Sequence, residues 1–514
     1  MLRCCLACLV MLAFFIASGC GEDAAKNAEA DGAASDVAVA AVGGVRVRLV
    51  VPLEAPEIGV AAAAALAGDA GEVMIRRGVP SGGLDSVGFA LVGDGLLRVL
   101  PYEGEQATRF VIELRVAGNV LARAETAVVI VRDLEPDRVV DALWVPRDRA
   151  VALVDGQGAA LMVAVASGAT STPLDGARLL IAGGAPGLEP CGAETPTAFV
   201  DTAHVVATSG LHIDSVIDLV DARAFHGAAA LAGGRVALLG GYLAKGGEVG
   251  VSAGVEIVVP HEGRSEGASF SLAQARARFA VVADAERIVL VGGDNGGAPG
   301  SAGTVELWQA TSGTLATATL TRRRVAPYAA LLTDPASERK LLFVVGGRAG
   351  SGADSSALAD GEVYEVRPDA LLFAGTIPST TPVVGDAAWT AIPAALAIVR
   401  AGGHSVGAPV AQVQLFDAAT GTWQQRTPLF VARSCMASSL IDGEWWLIGG
   451  AGDAGAAVAV DRVVIGAQST QGVLTAGRRG GEILPGPGPT LLLSGGVAED
   501  GTPLGLAMYW PSSI

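Results

Sequence analysis

Seven times along this chain a short apolar run ends in a glycine pair, and that recurrence limits the fold more than any other feature. The pairs are Gly183-Gly184, Gly240-Gly241, Gly292-Gly293, Gly346-Gly347, Gly402-Gly403, Gly449-Gly450 and Gly495-Gly496. Their successive spacings are 57, 52, 54, 56, 47 and 46 residues. Runs such as Ile288-Val289-Leu290-Val291 and Trp445-Trp446-Leu447-Ile448 lack apolar–polar alternation, so they suit strands covered on both faces. A glycine pair at a strand end permits positive φ and close approach of a neighbouring backbone. A unit of this length holds about four short strands and cannot bury its own sheet, so the units must stack. Stacked radially, they form a β-propeller with few exposed edges.

The stretch 396–450 carries the most detail. After Gly402-Gly403 come Val413-Gln414-Leu415-Phe416-Asp417, then Thr420-Gly421-Thr422-Trp423, Pro428, Arg433 and a second glycine pair at 449. The aromatic–Asp pair, Thr-Gly turn, Trp and following Arg resemble the kelch repeat. The other copies are degenerate; Trp308 and Tyr364 take the aromatic place in two of them. The resemblance implies a kelch-like propeller over 138–514. The last copy has one strand after its glycine pair, at 504–510, so its blade lacks an outer strand. The region 138–155 holds apolar runs at 139–145 and 150–154, and one of them is spare. An N-terminal strand that completes the C-terminal blade would close the ring. Divided by seven, the span matches the repeat period, so seven blades are expected and six is the alternative.

The N-terminus reads as an address. Arg3 precedes an apolar run at 6–16, then Ala17-Ser18-Gly19-Cys20. The run falls short of the ~18 residues that a membrane span needs. Ile16-Ala17-Ser18-Gly19-Cys20 resembles the lipobox of bacterial lipoproteins. That implies a signal peptide at 1–19 and acyl chains, palmitate among them, on Cys20. Residues 20–36 then form an acidic flexible tether. Gly rather than Asp at 21 favours the outer membrane over the inner one by the same resemblance, with surface or periplasmic orientation left open. Residues 37–134 show period-two alternation at 45–51, 96–100, 110–116 and 126–131. That pattern suggests a β-sandwich like immunoglobulin or fibronectin modules, serving as a spacer. The Ala-rich stretch 61–67 is a helix-capable exception. The whole is expected to be all-β.

Chemistry is sparse. Of 514 residues, 51% are hydrophobic and 17% charged, which excludes a disordered chain. A net charge of −17 argues against nucleic acid as a partner. The five histidines are scattered, and no phosphate loop, zinc motif or nucleophile elbow occurs. No cofactor, metal or catalytic set is expected. Two features invite a functional reading. Arg223, Arg278, Arg324 and Arg433 each precede the inner strand of a blade, where a partial ring would surround one channel mouth and hold carboxylates or sulfated glycans. The other use of such a repeated Arg is to hydrogen-bond between blades. Cys191 and Cys435 are the non-lipidated cysteines of the mature chain; in an exported protein they can pair or stay as free thiols. The expectation is a monomeric, non-enzymatic envelope lipoprotein whose propeller binds a protein or glycan. A carbohydrate-active enzyme of mutarotase or oxidase type and a purely structural role are the alternatives.

Overall fold

The computed structural model describes residues 45–511 apart from short stretches, the longest being 100–106, 131–138, 297–302 and 351–355. Residues 1–19, the tether at 20–36 and Cys20 lie outside the described residues.

Among the described residues, seven four-stranded antiparallel sheets follow one another as blades. Blade 1 runs from Thr170–Leu174 to His212–Asp218, blade 2 from Gly227–Leu231 to Arg264–Gly267, and blade 3 from Ala280–Asp284 to Gly313–Thr319. Blade 4 runs from Tyr328–Thr333 to Leu371–Ile377, blade 5 from Ala388–Ile392 to Thr422–Arg426, and blade 6 from Ala437–Ile441 to Ala467–Val473. Blade 7 joins Glu482–Pro485, Leu491–Ser494 and Ala507–Tyr509 to the early strand Ala150–Ala152. The first strands of successive blades touch from blade 1 through blade 7. Ser171 Oγ of blade 1 lies 2.8 Å from Ser494 Oγ of blade 7, so the set closes round an axis.

The unalternating runs are explained by where their side chains go. In the second strand of blade 2, Val236 and Leu238 pack toward blade 1, while Ala237 and Leu239 pack toward blade 3. Both faces are core, so both need apolar residues. The glycine pairs are explained by the turn after that strand. Gly292 and Gly293 take φ of 64° and 107°. A Cβ on Gly292 would sit 2.3 Å from Arg324 O of the next unit. The N–H of Gly293 instead donates to that carbonyl at 2.7 Å. A side chain at either place would both strain φ and part the two units.

The N-terminal unit is a sandwich of two sheets with the helix α1 (Pro56–Ala67) packed against it. Pro56 opens α1, and Gly68 closes it in the left-handed region at φ 81°. Val45, Val47 and Val99 of one sheet face Ile75, Phe110 and Ile112 of the other, with Ile58 and Ala62 of α1 joining them. Two expectations are corrected here. The immunoglobulin-like pattern fails, because α1 is a full helix and Val45–Val50 pairs in parallel with Val139–Leu143. The boundary at 138 also moves. Val139–Leu143 and Val145–Pro146 belong to the N-terminal sheets, and only Ala150–Ala152 is the strand that blade 7 was missing. Parallel pairing joins residues nearly a hundred apart, so nothing local in the sequence marks it. The sandwich core continues through Leu179, Ile181, Leu506 and Met508 into blades 1 and 7.

Candidate functional site

The arginines expected at the channel mouth part into two kinds. Arg223, Arg324 and Arg433 are at most 1% exposed. Arg223 Nη2 meets Glu256 Oε2 at 2.8 Å, and its Nη1 donates to Gly240 O at 3.1 Å. Arg324 Nη1 donates to Gly346 O at 3.0 Å, and its Nη2 lies 3.1 Å from Asp360 and 3.5 Å from Glu362. Arg433 pairs with Asp461 at 2.5 Å and donates to Ala459 O at 3.1 Å. Two arginines outside the expected set do the same work. Arg276 meets Gly292 O at 3.0 Å and Glu306 at 3.2 Å, and Arg478 donates to Gly495 O. Each stands four residues before the first strand of its blade. Each ties that entry to the ends of the second and third strands of the same blade. The guanidinium fork suits this, because its planar donors reach a carbonyl and a carboxylate at once. Arg223, Arg324 and Arg433 are therefore not a ligand face, and their bonds run within a blade rather than between blades. Loss of water pulls the pKa of Arg276 and Arg433 down against the facing carboxylates, and that of Arg478 to about 10.

Arg278 is of the other kind. It sits two residues past the buried Arg276, at φ 50°, and is half-exposed. Six further residues hold the same place at the entry to the other blades: Gly168, Phe225, Ala326, Asp386, Cys435 and Gly480. The left-handed φ values of Phe225, Ala326, Asp386 and Cys435 run from 49° to 54°. Phe225 N–H donates to Gly168 O, Arg278 to Phe225, Ala326 to Arg278, Cys435 to Asp386 and Gly480 to Cys435, at 2.7 to 3.0 Å. The result is a collar of backbone bonds round the axial mouth, with the side chains of Phe225, Arg278, Asp386 and Cys435 mounted on it.

A strap crosses this collar. It is formed by residues 185–192 and 194–201, which follow the first glycine pair. Cys191 is joined to Cys435 by a disulfide with Cα atoms 5.9 Å apart, spanning blade 1 to blade 6. Glu189 pairs with Arg479 at 3.0 Å, beside blade 7. On the far side Arg278 donates to Gly192 O at 2.6 Å and Glu194 O at 2.7 Å, with its guanidinium 3.7 Å over the Phe225 ring. The cysteine alternative left open by the sequence resolves as a bridge. Around the strap, Arg348 pairs with Asp386 at 2.7 Å, and Tyr242 donates to Asp294. Burial and the Asp294 carboxylate push the Tyr242 phenol pKa up.

Glu482 heads the first strand of blade 7, at the axis. Its Oε2 accepts from Ser171 N–H at 3.1 Å. Solvent reaches it, yet protein surrounds it closely enough that desolvation raises its pKa from 4.5 to about 7. Of the histidines, His226 is buried, with Nε2 3.0 Å from Thr170 Oγ1; desolvation holds its pKa near 3, so it stays neutral. His212, His261 and His404 are exposed. Among the described residues no three His, Cys, Asp or Glu side chains gather as a metal site.

Neither a protein-family profile nor a curated protein sequence matches the chain. Solved structures do. The protein YjhT aligns at 12% identity and a TM-score of 0.41, over 68% of this chain and 95% of YjhT. A fungal alcohol oxidase of the AA5 family, in complex with copper, aligns at 14% identity and a TM-score of 0.48, over 68% of this chain and 74% of the oxidase. The described residues are mostly strands, a β-propeller with a small sandwich that carries one helix at its N-terminal end.

Proposed function

We propose that the chain is a lipid-anchored protein of a bacterial envelope whose propeller is a non-enzymatic binding scaffold, with the strapped face toward its ligand. The strap carries this reading. A mouth bridged covalently and pinned on opposite sides of the axis presents a fixed surface rather than an open substrate pocket, and rigid scaffolds present loops in this way for recognition. Thr195 and Thr197 stand exposed on that surface. A photo-crosslinking residue at either place is expected to give a discrete adduct in cells, while the same residue at Glu262, on the opposite face, gives none. Equal labelling at both places, or none at the strap, removes the reading. Anchoring is tested separately: Cys20→Ser is expected to move the protein from the membrane fraction to the soluble one and abolish palmitate labelling.

Glu482 favours a second reading, an enzyme working in the axial channel. A carboxylic acid with a pKa of about 7 is half-ionised at neutral pH, as general acid–base chemistry requires. The same shift has a consequence for stability. Between the unfolded value of 4.5 and the folded value of about 7, the folded chain binds the extra proton. The stability it contributes is complete below that window and is lost as pH rises through it. Glu482→Gln is expected to flatten the stability–pH curve across this window. An unchanged slope in denaturant titrations would show that the carboxyl titrates normally and would sink the enzyme reading too.

A further inference from the structure

We propose that the cleft between the N-terminal sandwich and blades 6 and 7 is a binding site for acidic oligosaccharides, recognised through their carboxylates. The site is separate from the strap. Its walls include the turns joining first to second strands, at 440–444 and 485–491, whereas the strap lies at the glycine-pair end of the blades. The cleft holds about 640 Å³, within the usual range for small-ligand sites.

Arg147 is the centre of the argument. Its guanidinium lies 4.9 Å over the Trp510 ring. The two residues form a backbone bridge, and Asp148 N–H donates to Trp510 O at 2.8 Å, so the pair is set in place by main chain. The other cations of the cleft are already matched. Arg462 pairs with Glu444 at 2.8 Å, and Arg123 with Glu125 at 3.3 Å. Arg147 is exposed and has no carboxylate partner among the described residues. A stacked guanidinium keeps its outer donors free in one plane, the geometry a carboxylate accepts in two parallel bonds.

The rest of the cleft selects among carboxylates. Pro485, Pro489 and Leu440 offer apolar surface for the face of a sugar ring, while Asp442 and Glu444 accept from hydroxyls. A uronic acid brings both hydroxyl donors and a carboxylate. An acidic peptide brings carboxylates but no ring of hydroxyls for Asp442 and Glu444 to accept from.

The test uses the full chain in detergent, with trigalacturonate as the probe and tryptophan fluorescence and calorimetry as readouts. Trigalacturonate is expected to bind saturably, and Arg147→Gln to weaken it by about tenfold or more. Thermal unfolding of Arg147→Gln should match that of the wild type, and Arg147→Lys should recover only part of the affinity. Neutral maltotriose should fail to bind. The proposal is overturned by no saturation up to about 10 mM trigalacturonate, by an unaffected Arg147→Gln, or by equal binding of maltotriose. Tighter binding of hexaglutamate would overturn it in favour of a peptide site.

Discussion

Arg276→Leu is expected to destabilise the protein by about 3–5 kcal/mol, the usual cost of leaving one member of a buried ion pair without the other. Both Arg276 and Glu306 are fully buried, at 0% exposure. Glu306 also accepts from Ala273 N–H at 2.7 Å and Thr314 Oγ1 at 2.6 Å, but those are single neutral donors. Removing the guanidinium strands a carboxylate beneath blade 3 and leaves the carbonyl of Gly292 without its donor. Equilibrium urea unfolding read from Trp308, two residues along the same strand, follows the loss. The double variant Arg276→Leu with Glu306→Leu should recover much of it, because paired apolar replacement removes both desolvation costs. Arg278→Ala is the control: it should leave global stability nearly unchanged and loosen only the strap. A single Arg276→Leu variant as stable as the wild type would disprove the staple.

The second large effect belongs to the disulfide. Cys191→Ser together with Cys435→Ser opens a loop of 244 residues. In the chain-entropy picture a bridge of that span contributes about 5 kcal/mol, and removing native bridges commonly costs about 2–5 kcal/mol. The loss should be largest in oxidising buffer, where the wild type keeps its bridge. Limited proteolysis should at the same time begin to cut the 186–200 segment, since hydrogen bonds from Arg278, Arg479 and Ser167 then hold its middle without a covalent tie. Unchanged stability and unchanged protection would show that the strap is held by its hydrogen bonds alone.

What could be read from the sequence was what local backbone chemistry demands. Gly292 and Gly293 are fixed by their own φ and by one close carbonyl, so the pairs announce the period directly. The buried arginines carried a readable signal as well, the constant four-residue offset to each first strand. Arg278 precedes Phe279 closely enough to pass for a member of that set, and this hid Arg276 two places before it. Charge alone does not tell a staple from a mouth residue; burial does. The cleft left no trace, because Arg147, Glu444 and Trp510 meet only once the ring has closed. The expectation of a boundary at 138 failed for the same kind of reason, since the partner of Val139–Leu143 lies at the opposite end of its domain.

The closing strand of blade 7 has a consequence for how the molecule is made. Ala150–Ala152 leaves the ribosome roughly 360 residues before its partner Ala507–Tyr509. At about 5–20 residues per second that interval is some 20–70 s. Throughout it the early strand has bare backbone donors and acceptors, and blades 1 to 6 have two open ends. Closure therefore waits on residues 507–509, and a chain truncated before them would hold six blades and no ring. The ring is thus only as sound as its seventh blade, whatever the state of the other six.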